Sequence, residues 1–290
     1  MELFLHQIFS GLASGGIYAS VALALVMIYN ATHLVNFAQG EMAMFSTYIA
    51  WSMIDKGMPY WAAFFLTIAI AFAIGVIIER VIIRPFEKTD TVLAVVVVFI
   101  GLLVILNSVA GWIFTYTLKV FPSPFPEEPY FSGYLSGHEV GLLGVTLVTL
   151  TLVYLFFRFT PLGLAMRAAA QNPTSSRLVG ISVGWMLALG WGFAGAIGSI
   201  AGMMVAPIVY LDPNMMGGIL LYGFAAALLG GIDNPWGAVI GGFIVGILEN
   251  VMGTYVVGTE LKLTVALVII VAVLVVKPSG LFGKHLVTRV

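Results

Sequence analysis

The sequence contains no cysteine, which excludes disulfides and thiolate metal sites. Charge is nearly as scarce. Only 9% of the residues are Asp, Glu, Lys or Arg, against about 25% in an ordinary soluble domain. A water-facing exterior cannot be built from so few charges. The net charge of −1 gives no electrostatic ground for a nucleic-acid partner. The four histidines, His6, His33, His138 and His285, lie in four separate segments without the spacing of a zinc site. A phosphate-binding loop needs G-x-x-x-x-G-K-[ST]. The nearest stretch, "PSGLFGKH" (278–285), has Pro278 in the first glycine's place and His285 after Lys284. No Ser/His/Asp grouping stands out, so the residues make no case for an enzyme. The N-terminal "MELFLHQ" lacks a positive n-region and leads into an apolar stretch too long for a signal peptide, so it reads as a retained span.

What is present is hydrophobic. Apolar residues make up 61% of the 290 positions, and the mean hydropathy is +1.08. Lipid is therefore the solvent for most of the surface. Runs such as "LTVALVIIVAVLVV" are continuous rather than alternating, which suits helices and not barrel strands. A crossing helix needs about 20 mostly apolar residues. Nine stretches qualify, near 7–29, 36–54, 60–79, 91–112, 138–157, 184–209, 217–232, 236–256 and 260–276. The seventh is short and rich in glycine. The expected fold is all-α: one polytopic membrane domain over residues 1–290 with eight to nine transmembrane helices.

Lysine and arginine set the direction. Arg80, Arg84, Lys88, Arg158, Arg167, Arg177, Lys277, Lys284 and Arg289 fall in three segments that nine crossings put on one side. Lys56, Lys119 and Lys262 fall on the other. The expected N-terminus is outside and the C-terminus cytoplasmic; a re-entrant seventh stretch would reverse the basic tail.

The connections carry further signals. Residues 113–137 hold Pro122, Pro124, Pro126 and Pro129, which forbid a regular helix. Phe121, Phe125, Tyr130, Phe131 and Tyr134 there suit a cap at the membrane interface or a docking surface for an external partner. Small residues recur four apart at Gly11/Gly15, Gly198/Gly202, Gly237/Gly241 and Gly242/Gly246, the spacing of close helix packing. "LLGGIDNPWGAVIGG" (228–242) reads as a sharp turn, or as a broken helix of the kind transporters use at a site. In loop 158–183, a short helix over Gly163–Gln171 is interrupted at Asn172-Pro173. Thr174 or Ser175 would cap a second short helix ending near Gly180. The result is a basic connector, or a knob shaped to fit a partner.

One stretch stands out against its surroundings. "YNATHLVNFAQGEMAM" (29–44) sets Asn30, His33, Asn36, Gln39 and Glu41 between two apolar runs. "NATHLV" supplies a short inner turn. Asn36 would then cap the second span, with Gln39 completing a capping box and Glu41 in the second turn. The start of that span, at Asn36, Gln39 and Glu41, would also suit the inner lining of a path through the membrane. Glu249, Asn250 and Asn107 lie inside spans, where a charge costs about 3 kcal/mol or more at a helix centre. They read either as bonds between helices or as path residues.

"GLASGGIYASVALALVMIYNATHLVNFAQGEMAM", "GLAMRAAAQNPTSSRLVGISV", "AALLGGIDNPWGAVIGGFIVGILEN" and the ending "KPSGLFGK" together resemble the LivH-type permease subunit of bacterial branched-chain amino acid ABC importers. The resemblance covers essentially the whole chain. It implies an inner-membrane subunit that pairs with a second, homologous permease. It also implies two cytoplasmic ATPases below and an extracytoplasmic binding protein above. No cofactor would be bound by this chain; ATP would be used by the partners. The segment Arg167, Ala168, Ala169, Asn172, Pro173, Arg177 and Gly180 would couple to the ATPases. The importer coupling motif reads E-A-A followed closely by glycine. Here the glutamate is absent and the glycine comes only at Gly180. Urea and short-amide permeases look similar, and an ion-coupled secondary transporter remains an alternative on the residues alone.

Overall fold

The computed structural model describes residues 2–32, 35–86, 92–126, 128–130 and 135–283. His33, Lys88, Phe131, Tyr134, Lys284, His285 and Arg289 lie outside them. The apolar runs are helical, as lipid requires: inside it a helix satisfies its backbone within one segment. Among the described residues, nine helices stand at the nine expected positions. They are α1 (Glu2–Thr32), α2 (Gln39–Asp55), α3 (Tyr60–Ile77), α4 (Val92–Phe114), α5 (Gly137–Phe159) and, after α6 (Pro161–Gln171) and α7 (Pro173–Leu178), α8 (Val183–Val209), α9 (Met216–Gly230), α10 (Pro235–Met252) and α11 (Lys262–Val276). Among the described residues, seven of the helical runs are long and apolar enough to cross a membrane. α2 and α9, with 17 and 15 residues, are shorter. Helix α3 continues through a π-helical turn, Ile78–Ile83, and α10 through another, Gly253–Val257. The proline-rich connection carries no helix over 115–126, and Pro129–Tyr130 (β1) pairs antiparallel with Leu135–Ser136 (β2).

The chain clusters into two compact units. The first comprises Met1–Val26, Phe125–Thr146 and Gly218–Val290. In it α1 packs on α10 through glycine. A Cβ added to Gly11 would stand 2.8 Å from the Ile247 Cα, and one on Gly15 2.8 Å from the Phe243 Cα. A Cβ on Gly246 would overlap the backbone of Gly11 and Gly15. The four-residue spacing thus serves backbone approach. Helices α9 and α10 meet at a tight elbow where Gly230 and Gly237 touch. Asn234 caps α10, its Oδ1 accepting from the Trp236 and Gly237 amides. The stretch that half-resembles a phosphate loop has a different job. Its Leu281 and Phe282 amides donate to the Leu229 and Gly230 carbonyls at 2.7 and 3.0 Å. They take up acceptors that the end of α9 leaves open.

The second unit comprises Met27–Pro124 and Leu147–Gly217. Here α8 is the central post, in contact with α2, α3, α6 and α7. Gly195 lets it lie against Ala71 of α3, where an added Cβ would be 2.6 Å from the Ala71 carbonyl oxygen. Gly202 admits the backbone of Ala43, and Gly198 the side chain of Gln39. The expected turn "NATHLV" is corrected in where it starts, and its His33 and Leu34 lie outside the described residues. Asn30 to Thr32 still belong to α1. The first turn of α2 lies beside Ala194–Gly198, about 16–22 Å along an α8 that is about 40 Å long at 1.5 Å per residue. Helix α2 therefore starts near mid-height of its neighbours, not at the level where α8 begins.

Candidate functional site

The six residues expected on a path fall into two groups. In the second unit, Asn36, Gln39, Glu41 and Asn107 gather around the start of α2. The capping box does not form. Asn36 Oδ1 accepts from the Ala38 amide at 3.0 Å, closing a local turn, and its nitrogen reaches Met42 Sδ at 3.6 Å. The N-cap position is Ala38, with no side-chain cap. Gln39 turns outward from its own helix instead: Nε2 donates to the Ala194 carbonyl of α8 at 3.0 Å. A capping box needs the Gln39 side chain to reach back to the N-cap amide; here the side chain lies against α8 instead, where Gly198 leaves room for it. Glu41 sits in the first turn of α2, not the second, and is 8% exposed.

Asn107 is the hub of this group. Its Nδ2 donates to the Pro213 carbonyl at 2.8 Å, and lies 3.3 Å from Asn214 Oδ1 and 3.4 Å from Glu41 Oε2. Its oxygen accepts from the Tyr116 hydroxyl at 3.4 Å. One side chain thus joins α4 to α2 and to the α8–α9 connection. Tyr116 reaches it because Gly111 gives its ring a place to lie.

Glu249 and Asn250 form the other group, in the first unit. Glu249 accepts from the Tyr18 hydroxyl at 2.9 Å, and Tyr18 stacks on Tyr222 with centroids 4.6 Å apart. Lys262 stands 3.9 Å from Glu249 Oε1 and donates to Asn250 Oδ1 at 3.0 Å. Asn250 donates in turn to the Gly246 carbonyl at 3.2 Å and lies 3.4 Å from Ser14 Oγ. The sequence reading uses Lys262 only as one of the three basic residues on the outer side. The signal was available, since Lys262 opens an apolar run and its long stem can fold back over Gly253.

The candidate coupling segment folds as a helix, a break and a helix. Thr160 caps α6 by accepting from the Gly163 amide, and Gly163, Met166 and Ala169 form its buried face. Ala168 is half-buried and Arg167 exposed. The cap of α7 is Asn172, whose Oδ1 accepts from the Ser175 amide at 2.9 Å, which corrects the expectation of Thr174 or Ser175. Pro173 stands in the first turn of α7, where its missing N–H costs nothing. The segment ends at Gly180, with φ +84°. Two residues the sequence reading passed over form its tip: Leu178 is 85% and Val179 75% exposed, next to exposed Arg177. Just beyond, Arg80 lies 3.8 Å over the Trp185 ring near the start of α8. Its neighbour Glu79 is fully buried in the π-helical turn, with the Arg80 guanidinium 3.5 Å from its carboxylate. That buried carboxylate had no sequence signal, because a Glu-Arg pair at the end of a span looks like ordinary interfacial charge. Among the described residues, no three His, Cys, Asp or Glu side chains are grouped to hold a metal.

Residues 7–274 match the family described as branched-chain amino acid transport system / permease component. The chain belongs to this permease family. It is 30% identical to the high-affinity branched-chain amino acid transport system permease protein LivH of Escherichia coli (strain K12), over 99% of this chain and 98% of that one. It is 28% identical to the corresponding protein BraD of Pseudomonas aeruginosa, over the same shares. A probable LivH permease of Methanocaldococcus jannaschii is 27% identical, over 91% of this chain and 87% of its own length. In such a permease the two groups of polar side chains inside apolar helices, and the exposed knob, are the features to explain.

Proposed function

We propose that this chain is a membrane subunit of an ATP-driven importer for branched-chain amino acids, in the inner membrane of the cell. Its N-terminus faces outward and segment 161–180 faces the cytoplasm. A second homologous permease completes the pathway. Two cytoplasmic ATPases bind below, and a soluble protein delivers substrate from outside. The chain hydrolyses nothing itself; ATP is used by the partners. The names carried by its relatives support this reading over 90% or more of the chain.

The observation that carries the mechanism is the knob and what it is rooted on. Leu178 and Val179 offer apolar contact at the tip, and Arg167 and Arg177 offer charge around it. The knob leads within a few residues into α8, whose middle holds the first turn of α2. A push on the knob when the ATPases close therefore reaches Gln39 and Glu41 through one rigid helix. ATP binding favours one of two states of the pathway and release favours the other, which is alternating access.

The test is reconstitution of this chain with its partner subunits in proteoliposomes. ATP-dependent uptake of leucine, isoleucine or valine is expected, with uptake lost when the ATPases are omitted. Arg167→Glu should lower transport-coupled ATP hydrolysis without lowering the amount of inserted protein; normal coupling would remove the knob from the mechanism. One observation favours a second reading. The Lys262–Glu249 pair is of a type found in ion-coupled secondary transporters. Uptake driven by an ion gradient in the absence of ATPases would establish that reading instead.

A further inference from the structure

The start of α2 is an unusual object to find between apolar helices. A helix N-terminus leaves its first amides without partners inside the helix. Within a bilayer such a break is tolerated only where protein buries it or where it lines a cavity. Three neighbours fix its height. On α8 it lies beside Ala194 and Gly198, near the middle of a 27-residue helix. The stretch of α8 beside it, at Gly195, faces Ala71, about midway along the run Tyr60–Phe86. On α4 Glu41 meets Asn107, about 22 Å from the helix start at Val92.

The groups at this end are not all used. Asn36 supplies acceptors for the Ala38 and Gln39 amides. The helix's own ladder begins with the Met42 amide on the Ala38 carbonyl. Between them stands Gly40, with no side chain over its amide. Gln39 is 1% exposed, and its Oε1 has no hydrogen-bond partner although its nitrogen is bonded. An acceptor buried in that way is costly unless something arrives to donate to it. The contact from Asn107 to Glu41 is long, at 3.4 Å. Side chains of a first turn lean back toward the N-terminus, so Gln39 and Glu41 flank the helix end from its α8 and α4 sides. The end therefore offers amide donors to an anion and, from its α8 and α4 sides, oxygen acceptors to a cation.

We propose that the start of α2 is a mid-membrane site for the α-ammonium and α-carboxylate groups of a zwitterionic amino acid. The ammonium bridges Gln39 Oε1 and the Glu41 carboxylate, and the carboxylate takes the amide at Gly40. Asn107 is the latch: it gives up Glu41 to the arriving ammonium while keeping its bond to the Pro213 carbonyl. The apolar side chain of the substrate then faces the surrounding apolar helices, and the site selects the zwitterion, not the side chain.

This inference rests on the reading of the chain as an amino acid permease, and the same proteoliposomes separate the two. If the wild-type complex fails to take up leucine, the transport reading falls and the site with it. If uptake is present, Glu41→Gln and Gln39→Leu are each expected to cut uptake at least tenfold. In Glu41→Gln, which leaves the Gln39–Ala194 bond between α2 and α8 in place, hydrolysis stimulated by loaded binding protein should stay within twofold, so ATP consumed per leucine rises at least fivefold. A merely structural role would lower hydrolysis and uptake together, and unchanged uptake in both variants would equally overturn the site. The absence of native cysteine allows a second readout. Phe37→Cys, next to the helix start and 39% exposed in the native chain, should react with a charged thiol reagent in the complex without binding protein. Leucine should slow that reaction. Isopentylamine, which lacks the carboxylate, and 4-methylpentanoate, which lacks the ammonium, should not; equal protection by either would overturn zwitterion recognition.

Discussion

The Tyr18 hydroxyl stands 2.9 Å from a Glu249 carboxylate oxygen, joining α1 to α10 between positions 231 residues apart in sequence. Both side chains are buried, at 6% exposure each. A buried carboxylate that loses a donor keeps its desolvation cost and gains nothing in return. Lys262 is too distant, at 3.9 Å, to replace a short hydrogen bond. Tyr18→Phe should therefore destabilise the protein by about 1–3 kcal/mol. In a Glu249→Gln background the same change should cost less, because the charge that needed the donor is gone. Thermal unfolding of the four proteins in detergent measures the difference; equal costs in both backgrounds would show that the hydroxyl matters for packing alone.

Gly246 and Gly101 form a matched contrast. A side chain at Gly246 would overlap the backbone of Gly11 and Gly15, and backbone in the middle of two packed helices cannot give way. Gly101 faces open space within 4 Å. Gly246→Leu should yield no monodisperse protein on size exclusion. Gly101→Ala should stay within about 0.5 kcal/mol of the native stability. A well-behaved Gly246→Leu protein would mean that α1 and α10 do not approach as closely as the glycine spacing implies.

The knob at 161–180 depends on one cap and one backbone angle. Asn172→Ala removes the acceptor for the Ser175 amide and should cost about 1 kcal/mol locally. Gly180 has φ +84°, which a β-branched residue adopts only with strain. Gly180→Val should therefore reshape the path from Arg177 to α8. The expected result in the reconstituted importer is normal insertion with ATP hydrolysis no longer stimulated by loaded binding protein. Stimulation equal to that of the native protein would show that the shape of this turn is immaterial.

Much of this was legible in the sequence because lipid imposes simple rules. Nine apolar runs correspond to nine helices among the described residues, and glycines four apart to the α1–α10 contact. Asn172-Pro173 gave the break between α6 and α7. Depth was not legible. Hydropathy reports how apolar a stretch is but not the height at which it begins. "NATHLV" therefore reads as a short inner turn, although α1 runs through Thr32 and α2 starts beside the middle of α8. The roles of Gln39 and Lys262 were misread for a related reason. Each had a sufficient simple explanation, a capping box for one and an outer-side charge for the other. The partners that displaced those explanations, Ala194 and the Glu249–Asn250 pair, are 155 and about 12 positions away in sequence. Of the candidate site, the residue types were readable and their grouping was not.

The α9–α10 elbow supplies the last prediction. The Asn234 side chain makes three bonds there. Its oxygen accepts from the Trp236 and Gly237 amides at 3.1 and 3.2 Å, and its nitrogen donates to the Phe282 carbonyl at 3.0 Å. The first two cap α10; the third holds the C-terminal turn against the end of α9. Asn234→Asp keeps both acceptors, places a negative charge at a helix N-terminus where it is favoured, and loses only the donor. Asn234→Ala loses all three. The expected order of stability is native, then Asp lower by about 1 kcal/mol, then Ala lower by about 2 kcal/mol, from ordinary cap and hydrogen-bond values. Hydrogen exchange adds a local readout. Leu281 and Phe282 donate to the Leu229 and Gly230 carbonyls. Loss of the Asn234 donor should therefore speed exchange at the Leu281 and Phe282 amides in both variants, while the Trp236 and Gly237 amides speed up only in Ala. Faster exchange at all four amides in Asp would mean that cap and clamp form one cooperative unit and that the Asn234 nitrogen holds both together.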